Sequence, residues 1–185
     1  MSNDATLVSR ILKGNPQAFQ QLVQQHERLV WHMVSRVVNG AQDHEDICQE
    51  VFLRVYQKLP TFHFQSKLST WIATIAYRTA INYAKKEEKR TTDTLDQAVA
   101  SPYEEPDAQQ RLEKQAIHTY IHEQISELPV HYRTILTLFH LEEMSLTEIQ
   151  EVTDMPIGTI KNYLFRARKL LKGRLQKYFI TEELL

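Results

Sequence analysis

The chain has 185 residues, 42% of them apolar, with four glycines, six prolines and a formal net charge of −1. That length suits one medium or two small domains, and the composition excludes a low-complexity chain. A single cysteine, Cys48, excludes an intramolecular disulfide. No apolar run reaches the roughly 18 residues that span a bilayer, and Met1 to Thr6 lacks a basic start and apolar core, so a soluble cytoplasmic protein without membrane insertion is expected.

Almost every segment reads as helix. Leu7, Val8, Ile11 and Leu12 form a short apolar stripe that stops at Gly14, a C-cap signal. Asn15-Pro16 then supplies an N-cap and a proline at the first helical position. The second helix runs to about Val38, with Phe19, Leu22, Val23, Leu29, Val30, Met33, Val34 and Val37 inward, and Asn39-Gly40 ends it. A third helix starts near Asp43 with the stripe Ile47, Cys48, Val51, Phe52, Val55, Tyr56 and Leu59, and stops at Pro60. Its opposite face carries Asp46, Glu50, Leu53 and Gln57, so Leu53 is a lone large apolar side chain among acids and amides. With Gln49, Glu50 and Arg54 around it, that residue suits either an unremarkable exposed leucine or the centre of a protein interface.

Residues 61–69 read as a loop with two aromatics, Phe62 and Phe64. The fourth helix, about 70–89, buries Ile72, Ile75, Ala76, Thr79 and Tyr83. Its other side carries Trp71, Thr74, Arg78, Asn82 and Lys85, followed by Lys86, Lys89 and Arg90. A basic stripe headed by an aromatic and adjoining an aromatic loop suits single-stranded DNA, because cations track the backbone and rings stack on bases. For Trp71 alone, a place in the core or at the helix start is the better explanation.

Residues 91–110 carry five acids and no base, and 91–106 has no useful periodicity; this is a flexible acidic linker. A helix at about 107–127 ends at Leu128-Pro129, and another covers about 130–141. Ser145-Leu-Thr-Glu148 is a capping box opening a short helix to about Val152, and a tight connection leads to the last helix. Over 157–177 that helix holds seven basic residues and no acid. Ile160, Leu164, Ala167 and Leu171 share its apolar face; Lys161, Asn162, Phe165, Arg166 and Lys169 lie opposite. A short capped helix, a turn and a longer basic helix is the order of a helix-turn-helix. Lys161, Asn162 and Arg166 then suit base edges, Phe165 a thymine methyl, and Arg168, Lys169 and Lys172 phosphates. The bland alternative is a solvated basic helix, although solvated faces usually mix signs. The fold class expected is all-α, with two small helical domains, each with its own modest core, joined by the linker.

Three runs resemble a known family: Leu-Pro-x-x-Tyr-Arg-Thr-Ile-Leu (128–136), Glu-Met-Ser-Leu-Thr-Glu-Ile (143–149) and Met-Pro-Ile-Gly-Thr-Ile-Lys-Asn-Tyr-Leu-Phe-Arg-Ala-Arg-Lys-Leu-Leu (155–171). They are similar to the C-terminal domain of bacterial RNA polymerase sigma factors of the extracytoplasmic function (ECF) group. Asp-x-Glu-Asp-Ile-x-Gln-Glu-Val-Phe at 43–52 and Thr-Trp-Ile-Ala-Thr-Ile-Ala-Tyr-Arg-x-Ala-Ile-Asn at 70–82 extend the resemblance to about residues 10–175.

The resemblance implies a sigma region 2-like domain over 1–90, a linker over 91–110 and a region 4-like domain over 111–185. It implies docking on the β′ coiled coil of core RNA polymerase through Asp46, Gln49, Glu50, Leu53 and Arg54, and a second contact with the β flap. Minus-10 strand capture falls to Trp71, Arg78, Asn82 and Lys85, with Phe64, Gln65, Ser66 and Lys67 in the loop that holds a flipped-out base. Duplex minus-35 recognition falls to Thr159, Lys161, Asn162, Phe165, Arg166 and Lys169. The family commonly has Asn where this chain has Arg78, so the resemblance does not set the minus-10 base preference. An anti-sigma factor is the implied regulator, and the linker permits a compact form in which DNA faces are hidden. The rival function is a helix-turn-helix regulator that is no polymerase subunit.

No enzyme, cofactor or metal is expected. Asp43, Glu45, Asp46 and Glu50 lie within two turns of one helix with no second cluster to close a Mg²⁺ site. His118 and His122 have i, i+4 spacing but no completing ligands for Zn²⁺. Cys48, on an apolar stripe, reads as inert.

Overall fold

The computed structural model describes residues 3–39, 41–90, 120–121 and 123–182. The acidic linker 91–110, His118 and His122 lie outside the described residues, as does most of the helix expected at 107–127. The described chain is all-helical: α1 (Asn3–Leu12), α2 (Pro16–Val37), α3 (His44–Lys58), α4 (Leu68–Arg90), α5 (Val130–His140), α6 (Leu146–Thr153) and α7 (Ile157–Glu182). Single 3₁₀ turns at Ala41–Asp43 and Leu59–Thr61 flank α3.

Local chemistry sets the joints. Gly14 takes φ +80°, the left-handed conformation that ends α1. Asn15 then accepts from the Ala18 amide at 3.0 Å, with Pro16 opening α2. Before α6, the Ser145 side chain accepts from the Glu148 amide at 3.3 Å, and the Glu148 carboxylate accepts from the Ser145 amide at 2.8 Å. That reciprocal cap satisfies two of the helix's orphan donors. Asp154 leaves α6 at φ +59°, a conformation Asp tolerates better than most residues, and this sharp exit points α7 away.

In the first module α2, α3 and α4 pack on one another and α1 closes on α2. Leu22, Met33, Val51, Leu68 and Ile72 are fully buried; truncating any such Leu to Ala costs about 2–5 kcal/mol. Two stripe members point outward instead. Leu12, 53% exposed, ends α1 one residue beyond the turn that packs. Tyr56, 51% exposed, sets only the edge of its ring against Phe19, centroids 5.0 Å apart, as an amphipathic side chain does at a core margin. Tyr83 is half-buried.

In the second module α5 and α6 pack on α7. Ile160, Leu164 and Ala167 are buried and Leu171 half-buried, as the period of the last helix requires. The two modules do not keep separate cores. α6 packs on α4 and α5 on α2, and buried side chains of both modules form one continuous cluster. The reason is that α5 is apolar on two sides. Ile135 and Leu138 join the shared cluster, while Leu136 joins a smaller one with Ile125, Leu128 and Ala167.

Candidate nucleic-acid and protein interfaces

The outward face of α3 is the most plainly built surface. Asp46, Gln49, Glu50, Leu53 and Gln57 are exposed, Leu53 by 63%. Arg54 donates from Nε to Glu50 Oε1 at 3.0 Å and from Nη2 to the same oxygen at 2.5 Å. This i, i+4 pair brackets Leu53 and is worth at most about 0.5 kcal/mol to the helix. It holds two charged side chains beside an apolar knob, which is the layout of an anchor with a polar rim. Among the described residues no three His, Cys, Asp or Glu side chains converge as metal ligands. Glu45, Asp46 and Glu50 of this helix are exposed along its surface, and Asp43 lies in the turn before it.

The loop before α4 is held by an aromatic series. Phe62 is buried; its ring lies 4.7 Å from Phe64 and 5.1 Å from Trp71. Phe64 takes φ +56°, unusual for a bulky residue, and its ring is 49% exposed. Gln65 and Lys67 are exposed and Ser66 half-buried. Along α4, Arg78, Asn82 and Lys85 are exposed at i, i+4, i+7, in one row below the half-buried Trp71.

Between the end of α3 and this row lies a groove of about 260 Å³. Arg54, Lys58 and Arg78 supply its cations, Trp71 an aromatic wall, and Thr61 and Thr74 hydroxyls. A ring, three cations and hydroxyls match what a nucleotide offers: a π face, a phosphate and sugar or base acceptors. Lys58 and Thr61 were not among the residues singled out from sequence, whereas Thr74 shares the outward face of α4 named there. Lys58 and Thr61 belong to a different helix end from Arg78, so no local spacing signals them.

Two cations of the first module are already engaged by the second. Lys67 Nζ lies 2.9 Å from Glu148 Oε1, and Arg78 Nη2 donates to Asp154 Oδ2 at 2.9 Å. Lys67 and then Ser145, by hydrogen bonding, hold the Glu148 carboxyl well below the usual range, at about 2.

On α7, Lys161, Asn162, Phe165, Arg166 and Lys169 are exposed, Phe165 by 67%, and Thr159 is half-buried in the first turn. The seven bases of 157–177 are not equivalent. Arg168 stacks over the Phe139 ring at 5.1 Å and donates to His140 Nε2 at 3.1 Å. Arg174 donates to the Gln124 carbonyl at 3.1 Å and to Glu127 at 2.8 Å. Both tie α7 to its own module. That is a second role for Arg168, assigned from sequence to phosphate alone. The outward row of Lys161, Asn162, Phe165, Arg166 and Lys169 stands clear of those ties.

Comparison with known proteins gives concordant results over most of the chain. Residues 22–90 match the Sigma-70 region 2 model and residues 118–171 the Sigma-70 region 4 model. The chain is 31% identical to the RNA polymerase sigma-H factor of Pseudomonas aeruginosa, covering 94% of each protein. It is also 31% identical to the ECF RNA polymerase sigma-E factor of Escherichia coli, covering 94% of each. To the ECF RNA polymerase sigma factor SigW of Bacillus subtilis it is 30% identical, covering 91% of this chain and 95% of that one. Its fold is like that of the sigma factor RpoE, solved with the anti-sigma factor NepR from Bartonella quintana. The TM-score is 0.71 at 19% identity, over 85% of this chain and 96% of that one. It is also like that of CnrH, solved with the cytosolic domain of CnrY: TM-score 0.68, 17% identity, 95% and 99% covered.

Proposed function

The chain belongs to the extracytoplasmic function sigma factors of the sigma-70 family, which bind core RNA polymerase and direct promoter recognition, and we propose that it divides this work among three surfaces. The α3 face, with Leu53 as anchor and Asp46, Gln49, Glu50 and Arg54 around it, docks on the β′ coiled coil. The loop and α4 face, through Phe64, Gln65, Ser66, Lys67, Trp71, Arg78, Asn82 and Lys85, takes the separated minus-10 strand. The outward row of α7, with Thr159, Lys161, Asn162, Phe165, Arg166 and Lys169, reads the minus-35 duplex, while the second module also meets the β flap. In this reading 1–90 serves docking and strand capture and 111–185 the duplex, with 91–110 between them; the family matches at 22–90 and 118–171 fall within those two parts.

The observation that carries this reading over a plain DNA-binding regulator is Leu53. A side chain of that size, 63% exposed and flanked by the Glu50–Arg54 pair, has the layout of an anchor for a protein partner, which a protein that touches only DNA does not need. The chain acts without chemistry of its own, and it works in the cytoplasm, at the nucleoid when active. Two strand and duplex contacts of moderate strength gain from being joined, with the polymerase fixing their spacing. A protein of the kind bound to the Bartonella relative is the regulator expected for this chain.

A pull-down with core polymerase tests the reading. Wild type is retained and Leu53→Asp is not. Retention of both to the same extent would remove Leu53 from the interface, and retention of neither would remove the docking face altogether.

A further inference from the structure

We propose that the groove between the end of α3 and α4 seats one nucleoside phosphate unit, with its phosphate on Lys58 and its base against Trp71, and that Thr61 and Thr74 make it prefer a base with an exocyclic amino group. This rests on the reading of Trp71 and Arg78 as strand contacts. What it adds is the role of Lys58, Thr61 and Thr74 and the base preference.

The volume sets the size of the ligand. At about 260 Å³ the groove falls just short of the range of about 300–1,000 Å³ that encloses a drug-sized molecule. One base with part of its sugar is the fitting unit, and a run of stacked bases is not. Trp71 is half-buried and its ring leans on Phe62, centroids 5.1 Å apart. The rest of the ring lines the groove, with the buried Ile75 and Thr79 beside it. An aromatic wall over an apolar floor favours the flat face of a base.

The three cations of the groove are not equivalent. Arg54 gives Nη2 to Glu50, and Arg78 gives Nη2 to Asp154. Lys58 is exposed and forms no ion pair among the described residues. It is the cation that a phosphate meets without displacing a carboxylate, and an ammonium serves a phosphate as a point charge.

The hydroxyls carry the selectivity. Thr61 Oγ1 donates to the Lys58 carbonyl at 2.7 Å, and Thr74 Oγ1 donates to the Thr70 carbonyl at 2.9 Å. A hydroxyl has one proton and two lone pairs. With both protons spent inside the chain, the two side chains present acceptors to the groove, and a ligand must bring donors to them. The amino group of cytosine or adenine brings two N–H bonds on one atom. Uracil and thymine bring one N–H between two carbonyl oxygens, and those oxygens would face the lone pairs, leaving polar groups unpaired.

Two sources carry this chemistry, a DNA strand and a free nucleotide, and the test separates them. In the first arm the full chain is titrated, by anisotropy, with fluorescein-labelled oligomers of about 12 nucleotides, one of deoxycytidine and one of deoxyuridine. The deoxycytidine oligomer is expected to bind about three- to tenfold more tightly, the factor that one net hydrogen bond represents. Thr61→Val with Thr74→Val should abolish that preference, and Thr61→Ser with Thr74→Ser, which keeps both hydroxyls, should retain it. Thr74→Val alone, on a well-packed helix, should already reduce it. Lys58→Ala should weaken both oligomers alike and take about 0.7 off the salt slope. Lys13→Ala, at an exposed lysine outside the groove, should change either affinity by less than about twofold.

The second arm follows deoxycytidine and deoxyuridine monophosphates by calorimetry. A preference seen only in the oligomers assigns the seat to the strand, and the same preference among monophosphates assigns it to free nucleotides as well; both support the proposal. Equal affinity for the two bases, or no binding, in both arms overturns it, as does a preference that survives the paired valines. If Arg78→Ala weakens the oligomers while base identity does not matter, the strand reading stands and the seat falls. If the monophosphates bind selectively and neither oligomer binds, the strand reading falls and the seat stands.

Discussion

Arg133, on α5, donates from Nε to the backbone carbonyl of Arg36, in the last turn of α2. The contact joins a buried cation of one module to the negative end of a helix of the other, where a positive charge is favoured. The same guanidinium donates to the Ser126 carbonyl at 2.6 Å and to Asn39 Oδ1 at 3.2 Å. Burial lowers the Arg133 pKa, and burial together with the Arg133 charge pulls Arg36 down to about 10.

Replacing Arg133 with Ala leaves three acceptors short of a donor, the Arg36 carbonyl among them in a buried place. The expected loss is about 2–4 kcal/mol, read as a lower urea midpoint. Arg133→Lys should recover only part of it, because one ammonium cannot spread across three divergent acceptors as a planar fork does.

Arg166 and Arg174 sit on the same helix but should separate cleanly. Arg166 is exposed on the outward row, so Arg166→Ala is expected to change stability by less than about 0.5 kcal/mol. Run-off transcription from a dependent promoter should fall by about 1–3 kcal/mol equivalent, with core polymerase binding unchanged. Arg174→Ala should instead lower the urea midpoint and spare promoter choice, since its partners are Gln124 and Glu127.

Glu148 carries an acid-sensitive share of the joint between the modules. Its folded-state pKa, about 2, lies below the ordinary 4.5. The unfolded chain thus binds the proton more readily, and the contribution is complete above about 4.5 and lost as pH falls towards about 2. Wild type should exceed Glu148→Gln in urea resistance at pH 6, and the difference should shrink through that window. A difference independent of pH would mean that the carboxylate charge plays no part.

Cys48 should be a poor nucleophile. It is half-buried, and burial, followed by the Glu45 charge, pushes its thiol up to about 12. Its reaction with a disulfide reagent at pH 8 should be at least about tenfold slower in the native chain than in urea. Equal rates would show that the α3 stripe does not cover it.

Much of this was legible residue by residue. The Asn15 cap, the Ser145–Glu148 box and the Ile160–Leu164–Ala167 stripe each depend on neighbours within a few positions, and each appears where the spacing put it. The family runs likewise carry the sigma assignment. The outward turn of Tyr56 was not legible, because whether a stripe member at the core margin is covered depends on Phe19, far away in sequence. Nor were the partners of Lys67 and Arg78: Glu148 and Asp154 lie some eighty and seventy-six residues further on, and periodicity carries no information about which distant helix an element meets. The shared core escaped for the same reason, since the two apolar sides of α5 read as one stripe until the packing separates them.

That shared core is apolar, whereas the links at its margin are ionic. Burial of apolar surface weakens on cooling. The seam between α4 and α6 is therefore loosest in the cold and firmest as temperature rises towards the middle of the range.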